Sequence, residues 1–313
     1  MTQSVAELAQ AGALSNPSTF AEYLTFVIKD DADPDVLQDA FTLIAGVEKS
    51  IAQKDLIADL NITVAVSKKA WSSVFPDVAM PKLLTTFTEM QDGPRHFPST
   101  AGDIFFMIKS ERMDLNYQAA KYLLNAFRAS ADLVEDIQGF KYLDNRDLID
   151  FVDGTENPKD KARIEAVLVT DDEEILQGGS YLTVQRYVDR ELDWEKQTTD
   201  YQEKVIGRTK MDNIELDDET KPVWAHNSKS KVIIDDEEIK MLRQNRPFGN
   251  ALEHGTMFIG FAASPVVIDT SLHQMIYADA EGHYDRLLDF VEAKTGANYF
   301  VLSQALLDMF DDE

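Results

Sequence analysis

The sequence predicts an α+β chain of two domains, each a split β-α-β unit in which helices pack on an antiparallel sheet. Three observations predict it. The 313 residues exceed the roughly 100–200 of one ordinary domain. The order strand, helix, strand, strand, helix, strand is readable between Ala21 and Gly139, and a looser version of it recurs after Ala166. The expected domains are residues 1–145 and 146–313.

In the first half, Ala21 to Lys29 reads as a strand, and Asp33-Pro34 supplies an N-cap and a residue suited to the first helical position. Leu37, Phe41, Ile44 and Val47 recur at helical spacing, so a helix with one apolar stripe should run to about Ala52. From Leu60 the period changes to two, with Leu60, Ile62, Val64 and Val66 on one face and Asn61 and Thr63 on the other, which predicts a half-buried strand. A strand rich in Ile and Phe follows at Asp103 to Lys109. A helix at Asp114 to Arg128 aligns Leu115, Ala119, Tyr122, Leu123 and Phe127, and a strand at Leu133 to Gly139 closes the set.

In the second half, strands are expected around Ala166 to Thr170 and at Ser180 to Tyr187, then a helix from Glu191. A strand at Thr256 to Ala262 precedes helices near Ile268 to Ala278 and at Asp285 to Lys294, and a short strand covers Tyr299 to Leu302. Between them, Asp212 to Gly255 is acidic and poor in periodicity. Long irregular segments inside compact domains are often functional, which marks this one as the place to look for a site.

Composition narrows the function. Thirty Lys+Arg against 56 Asp+Glu leave a net charge of −26, a field that repels phosphate backbones and anionic head groups, so neither nucleic acid nor a membrane surface is an expected partner. There is no cysteine, which excludes disulfides, thiolate metal sites, iron–sulfur clusters and covalent haem attachment. The first residues lack a basic stretch followed by an apolar run, and no segment approaches about 18 uninterrupted apolar residues, so the expected location is the cytoplasm.

Only five histidines occur, His96, His226, His254, His273 and His283, and no two have the spacing of a local metal site. A single histidine still suffices as the one protein ligand of a haem iron, since a porphyrin supplies four other donors; periodicity alone selects none of the five. Phe151 to Pro158 is dense in turn formers and reads as an exposed loop. Ile239, Met241, Arg243 and Asn245 have period two, so one extended strand would place Arg243 and Asn245 on the same side as two apolar neighbours, where the arginine needs a partner.

The segment Asp153-Gly154-Thr155-Glu156-Asn157-Pro158 resembles the G-x-x-D-G-type signature of dye-decolorising peroxidases, with Asp150 where the signature has its first glycine. Gly102 to Phe106 with Ser110-Glu111-Arg112, Ile206-Gly207-Arg208-Thr209-Lys210, and Leu242 to Gly249 match the same family in its order and span most of the chain. The chain is most similar to the compact bacterial branch. The resemblance implies two ferredoxin-like domains with non-covalent haem b, one per chain, held mainly by the second. It also implies reduction of hydrogen peroxide, through a ferryl haem, at the expense of dyes, phenols or other small aromatic reductants.

Residue by residue, the resemblance implies His226 as proximal iron ligand, Asp153 as distal carboxylate, Arg243 as distal arginine and Asn245 as a distal asparagine. Arg246 is the rival arginine, but on an extended strand it would point away from the Arg243 side. The proximal imidazole should donate its other N–H to a carboxylate, and Asp285 is the expected partner. Relatives commonly form dimers or larger assemblies, so a homo-oligomer, dimer or tetramer, is expected. Some relatives end in a tail that docks into a nanocompartment shell. This chain stops at Leu307-Asp308-Met309-Phe310-Asp311-Asp312-Glu313, without an apolar extension, and is not expected to be such a cargo. Two competing readings are a haem-handling protein with little turnover, which would leave Asp153 and Arg243 dispensable, and an acidic interaction module with no cofactor.

Overall fold

A computed structural model describes residues 4–310; what was expected of the chain ends falls partly outside that range. In chain order the first half contributes β1 (Phe20–Ile28), α1 (Pro34–Ala52), β2 (Asn61–Ser67), β3 (Ile104–Ser110), α2 (Met113–Phe127) and β4 (Ala131–Phe140). The second contributes α3 (Asp160–Val167), β5 (Ser180–Asp189), α4 (Thr199–Ile206), α5 (His226–Lys229), β6 (Arg246–Gly249), β7 (His254–Ala262), α6 (Val266–Ile276) and β8 (Ala297–Val301).

The α1 helix starts where the sequence says it should. The Asp33 carboxylate accepts the Asp35 N–H at 3.0 Å, a cap worth about 1 kcal/mol. Leu37, Ala40, Phe41 and Ile44 are buried, and Phe41 meets Phe127 of α2 edge-on at 5.2 Å.

The labelled strands form one closed antiparallel sheet in the order β7-β6-β4-β1-β3-β2-β8-β5 and back to β7. Each half supplies four adjacent strands, and two seams join them. Three residue pairs, from Tyr299 opposite Ser67 to Val301 opposite Ala65, stitch β8 to β2. At the second seam Phe248 of β6 lies opposite Gly139 of β4. A Cβ on Gly139 would sit 2.8 Å from that of Arg246, so the close approach there requires glycine.

Closure buries the sheet on both sides. Tyr23, Phe105, Met107, Leu182, Val184, Ile259 and Tyr299 fill the interior, while the alternate residues Leu24, Phe26, Ile104, Phe106 and Ile108 pack outward under α1 and α2. On the second half, the outward residues Tyr187, Asp189, Thr256 and Phe258 face a cleft instead. The functional site is built on that face.

Several elements differ from expectation. β2 is buried on both faces, with Thr63 1 % exposed, because its second face lines a closed interior rather than solvent. Ala166 ends a helix, α3, rather than starting a strand. Tyr122 is 44 % exposed, and Ala120 takes its place on the buried stripe of α2. The expected helix from Asp285 to Lys294 is a 3₁₀ turn, Arg286–Asp289, followed by a strand, Val291–Ala293, that pairs with β5. The physical reason is the sheet edge beside β5, which offers Val291 to Ala293 a ladder. The expected single strand through Ile239 and Asn245 is broken: Glu237–Ile239 pairs with Val232–Ile234 in a separate hairpin, and Leu242–Arg243 pairs with β7.

Candidate active site

One large cleft lies between the outer face of β5 and β7 and the helices α4, α5 and α6, enclosing about 1760 Å³ of empty space including its open mouth. Its floor is apolar, with Phe258, Ile268, Leu272, Met275, Leu288 and Val291. Polar side chains make up much of the remaining wall, among them Asp153, Asn157, Arg208, His226, Arg243 and Asn245, so the cleft sets one apolar face against a polar rim.

His226 opens α5 and reaches the cleft wall. Its Nδ1 lies 2.6 Å from the Asp285 carboxylate, which is fully buried. The other carboxylate oxygen of Asp285 accepts the Leu287 N–H at 2.9 Å, so the acid that caps the 3₁₀ turn also orients the imidazole. Among the described residues Nε2 has no hydrogen-bond partner, and it is the nitrogen left for the cleft. No group of three or more His, Asp or Glu suited to a bare metal ion occurs among the described residues. An iron at His226 would therefore have to bring its own donors.

Asp153 and Arg243 both line the cleft, with their charged ends 3.8 Å apart. They form a loose ion pair, too long for a hydrogen bond, and the same Asp153 oxygen accepts the Gly154 N–H at 2.6 Å. Two devices fix them. Phe151 is buried in a cluster with Ile149, Trp194, Ile206 and Phe290, and Asp153 is held by main-chain and amide bonds to Asn145, both 3.0 Å. Arg243 is clamped by Asn157, whose side-chain oxygen accepts the Arg243 N–H at 2.9 Å while its amide donates to the Arg243 carbonyl at 2.7 Å. Asn245 accepts the Ile259 N–H at 3.0 Å, which leaves its NH₂ end facing the cleft that it lines.

Arg246 is placed elsewhere. Its guanidinium is buried and donates to the Ser18 carbonyl and to Asn145. The structure therefore brings Asp153, Arg243, Asn245 and His226 around one cleft, with Asp285 behind the histidine.

The backbone accounts for the motif glycines. Asp150, at the first glycine position of the signature, has φ +73° and Gly154 has φ +77°, so the left-handed turn is kept although a side chain must tolerate it. Gly207 ends α4 at φ +90°, and a Cβ there would lie 1.9 Å from Asn227 Oδ1. Asn227, next to His226, donates back to the Gly207 carbonyl at 3.2 Å.

Several cleft residues take roles that neither periodicity nor spacing assigns. Asn157 belongs to the turn-rich loop Phe151 to Pro158, yet the one residue it clamps, Arg243, lies 86 positions away. Asp147 and Asp189 also line the cleft. Burial pushes the Asp147 carboxyl well above the usual carboxylate range, reinforced by Asp153, and pushes Asp189 up to about 7, reinforced by Glu191. Arg208, Lys231 and Lys240 line the polar side, each paired with Glu156, Glu215 or Glu238 at 3.1–3.8 Å, so a carboxylate-bearing ligand would take these cations from the glutamates.

Comparison with known proteins agrees with this arrangement. Residues 10–141 match the Dyp-type peroxidase N-terminal family, and residues 144–306 match its C-terminal family. The chain is 38 % identical over 293 residues to a dye-decolorizing peroxidase of Rhodococcus erythropolis, covering 92 % of this chain and 85 % of that one. It superposes with TM-score 0.92 on the encapsulated DyP-type peroxidase from Mycobacterium smegmatis, at 34 % identity, covering 98 % of each chain. It does so equally well on a variant of Rhodococcus jostii RHA1 DypB in complex with heme, at 36 % identity, covering 97 % of this chain and 99 % of that one. With both family models matched in order and a histidine–carboxylate pair and an Asp–Arg pair around one cleft, the chain belongs to the Dyp-type, dye-decolorising peroxidase family.

Proposed function

We infer that this chain is a haem b peroxidase that reduces hydrogen peroxide and oxidises dyes, phenols or similar small aromatic donors. The observation that carries this reading is the cleft-lining imidazole whose Nδ1 is held 2.6 Å from a fully buried carboxylate. This arrangement fixes the tautomer with Nε2 unprotonated and makes that nitrogen a stronger iron ligand. The cleft suits the group: its apolar floor matches a porphyrin face, and Arg208, Lys231 and Lys240 match propionates that displace Glu156, Glu215 and Glu238 from them. Haem b, one per chain and non-covalent in a protein without cysteine, supplies the iron and the stored oxidising equivalents.

The chain's own residues supply the rest. Asp153 is placed to take a proton from peroxide and return it to the departing oxygen, directly or through a water. Arg243 carries a permanent charge that stabilises the negative charge developing on that oxygen. Asn245 offers an NH₂ donor beside them and helps orient peroxide. The clamp by Asn157 keeps Arg243 in place without neutralising it. Bulky reductants do not need to reach Asp153, since electrons can pass at the cleft mouth.

Three further assignments belong to this proposal. Strand neighbours β4-β1-β3-β2 and β6-β7-β5-β8 each follow the order of a split β-α-β unit, which supports two ferredoxin-like domains meeting near residue 145, with haem mainly in the second. Exposed Leu43, Tyr117 and Tyr122 on the outer helices are compatible with a homo-oligomer, dimer or tetramer. Among the described residues no helix is long and apolar enough to cross a membrane, and we place the protein in the cytoplasm.

The test is the absorption spectrum of haem-loaded protein before and after one equivalent of peroxide, for the wild type and for His226→Ala, Asp153→Ala and Arg243→Ala. The reading expects an altered Soret band for the first variant and a slower peroxide-induced change for the other two. Failure of the chain to take up haem overturns it.

A further inference from the structure

Lys109 is the one lysine among the described residues whose side chain is buried, at 3 % exposure. It projects from β3 to the end of the closed sheet that the Gln10–Ser15 segment plugs. Among the described residues no carboxylate lies within ion-pair distance of it. Its Nζ instead donates to the Gly12 carbonyl at 3.0 Å, to Ser15 Oγ at 2.7 Å and to the Gln244 side-chain oxygen. An ammonium has three donors and no acceptor, so three acceptors match the charged form, whereas a neutral amine has two donors and keeps all three partners only if the Ser15 hydroxyl leaves the Gly12 carbonyl and turns to donate to the amine.

Gln244 connects this node to the cleft. Its amide donates to the carbonyls of Gly12 and Ala13, and its backbone N–H to Ile259. Arg243 and Asn245, its chain neighbours, line the cleft. A residue on the buried side of a two-residue alternation thus fixes the register of the two on the functional side.

We propose that Lys109 is a positioning residue for the distal segment, holding Arg243 and Asn245 through Gln244 with charge-assisted bonds when protonated and with weaker, neutral ones when it loses its proton. The proposal rests on the reading of Arg243 and Asn245 as peroxide-side groups. Charged neighbours facing Lys109 are Arg246 of β6, Arg163 of α3 and Asp59 ahead of β2. Burial, with Arg246 and Arg163 opposed by Asp59, lowers the ammonium to about 7, which places the switch in the working range of an enzyme.

The test measures the peroxide reaction of the haem-loaded protein from pH 5 to 9 in wild type, Lys109→Met, Lys109→Arg and Ser15→Ala, with hydrogen exchange of the 242–249 peptide at pH 6 as a second readout. The wild-type rate is expected to fall above a midpoint near pH 7. Lys109→Met should be roughly ten-fold slower at pH 6, the scale of a sub-ångström misplacement of a reacting group, and should lose the midpoint. Lys109→Arg should restore the rate and carry it through pH 9. Ser15→Ala, the mildest change, should lower the midpoint by about one unit, because a bond to a charged donor outweighs one to a neutral donor by over 1 kcal/mol. Faster exchange at 242–249 in Lys109→Met is expected whether or not Arg243 acts on peroxide. Unchanged exchange there, or a Lys109→Arg profile with the wild-type midpoint, overturns the proposal. An Arg243→Ala variant with wild-type peroxide kinetics would instead overturn the site reading and leave the exchange result standing.

Discussion

Asp285→Asn isolates the role of the buried carboxylate while keeping its size. In the wild type one oxygen accepts the Leu287 N–H and the other lies 2.6 Å from His226 Nδ1. An asparagine that keeps the Leu287 bond must turn its NH₂ towards Nδ1, which then has to be the unprotonated nitrogen. The proton moves to Nε2, and the ring cannot ligate iron without giving up a hydrogen bond. A buried bond to a charged group is worth about 1.5–3 kcal/mol, which at about 1.4 kcal/mol per decade corresponds to a loss of haem affinity of roughly 10- to 100-fold. Titration of haem into the haem-free protein, followed at the Soret band, gives the dissociation constant directly. Urea unfolding of both haem-free proteins separates this from a general loss of stability, since the cap on the 3₁₀ turn survives in the asparagine variant. An affinity within about three-fold of wild type would refute the argument that Asp285 sets the tautomer of His226.

Glu22 is 1 % exposed on β1, and burial reinforced by Asp136 raises its carboxyl from 4.5 to about 7. A raised acid favours the protonated folded form, so stability should decline as pH rises from about 4.5 to about 7. Glu22→Gln should therefore be more stable than wild type at pH 8 and equal to it at pH 4, as read by urea midpoints; equal stability at pH 8 would contradict the burial argument. Asn157→Ala removes both clamps on Arg243 and should cost about 1–3 kcal/mol of stability, slowing the peroxide reaction more than it changes haem binding. Asp150→Gly should be neutral or stabilising by up to ~1 kcal/mol because it relieves φ +73°, whereas Asp150→Val should destabilise by about 2 kcal/mol; thermal melts of the pair check the left-handed assignment.

The elements legible in the sequence are those whose physics is local. Asp33-Pro34 and the Leu37, Phe41, Ile44 stripe define α1 because a cap and a 3.6-residue period need no distant partner. Composition narrowed the cofactor class, since a chain without cysteine can hold neither an iron–sulfur cluster nor a thiolate-ligated or cysteine-attached haem. The residues around the cleft were named by resemblance to a family, and neither period nor spacing would have singled out His226 among five histidines.

Tertiary structure decided everything that depends on two distant segments meeting. The closed sheet exists because β2 finds β8 and β4 finds β6. Closure makes Thr63 an interior residue, although its alternation with Asn61 reads as a polar outer face, and it buries Lys109 behind Phe105 and Met107 on the inner side of β3. Helix and strand periods overlap at Leu287 to Val291, so the free edge beside β5, not propensity, selected a strand there. Asn157 became a clamp on Arg243, and Asp285 the anchor of His226, through contacts spanning 86 and 59 residues. Sequence periodicity reports which side of an element is apolar; only the packed chain determines what each side faces.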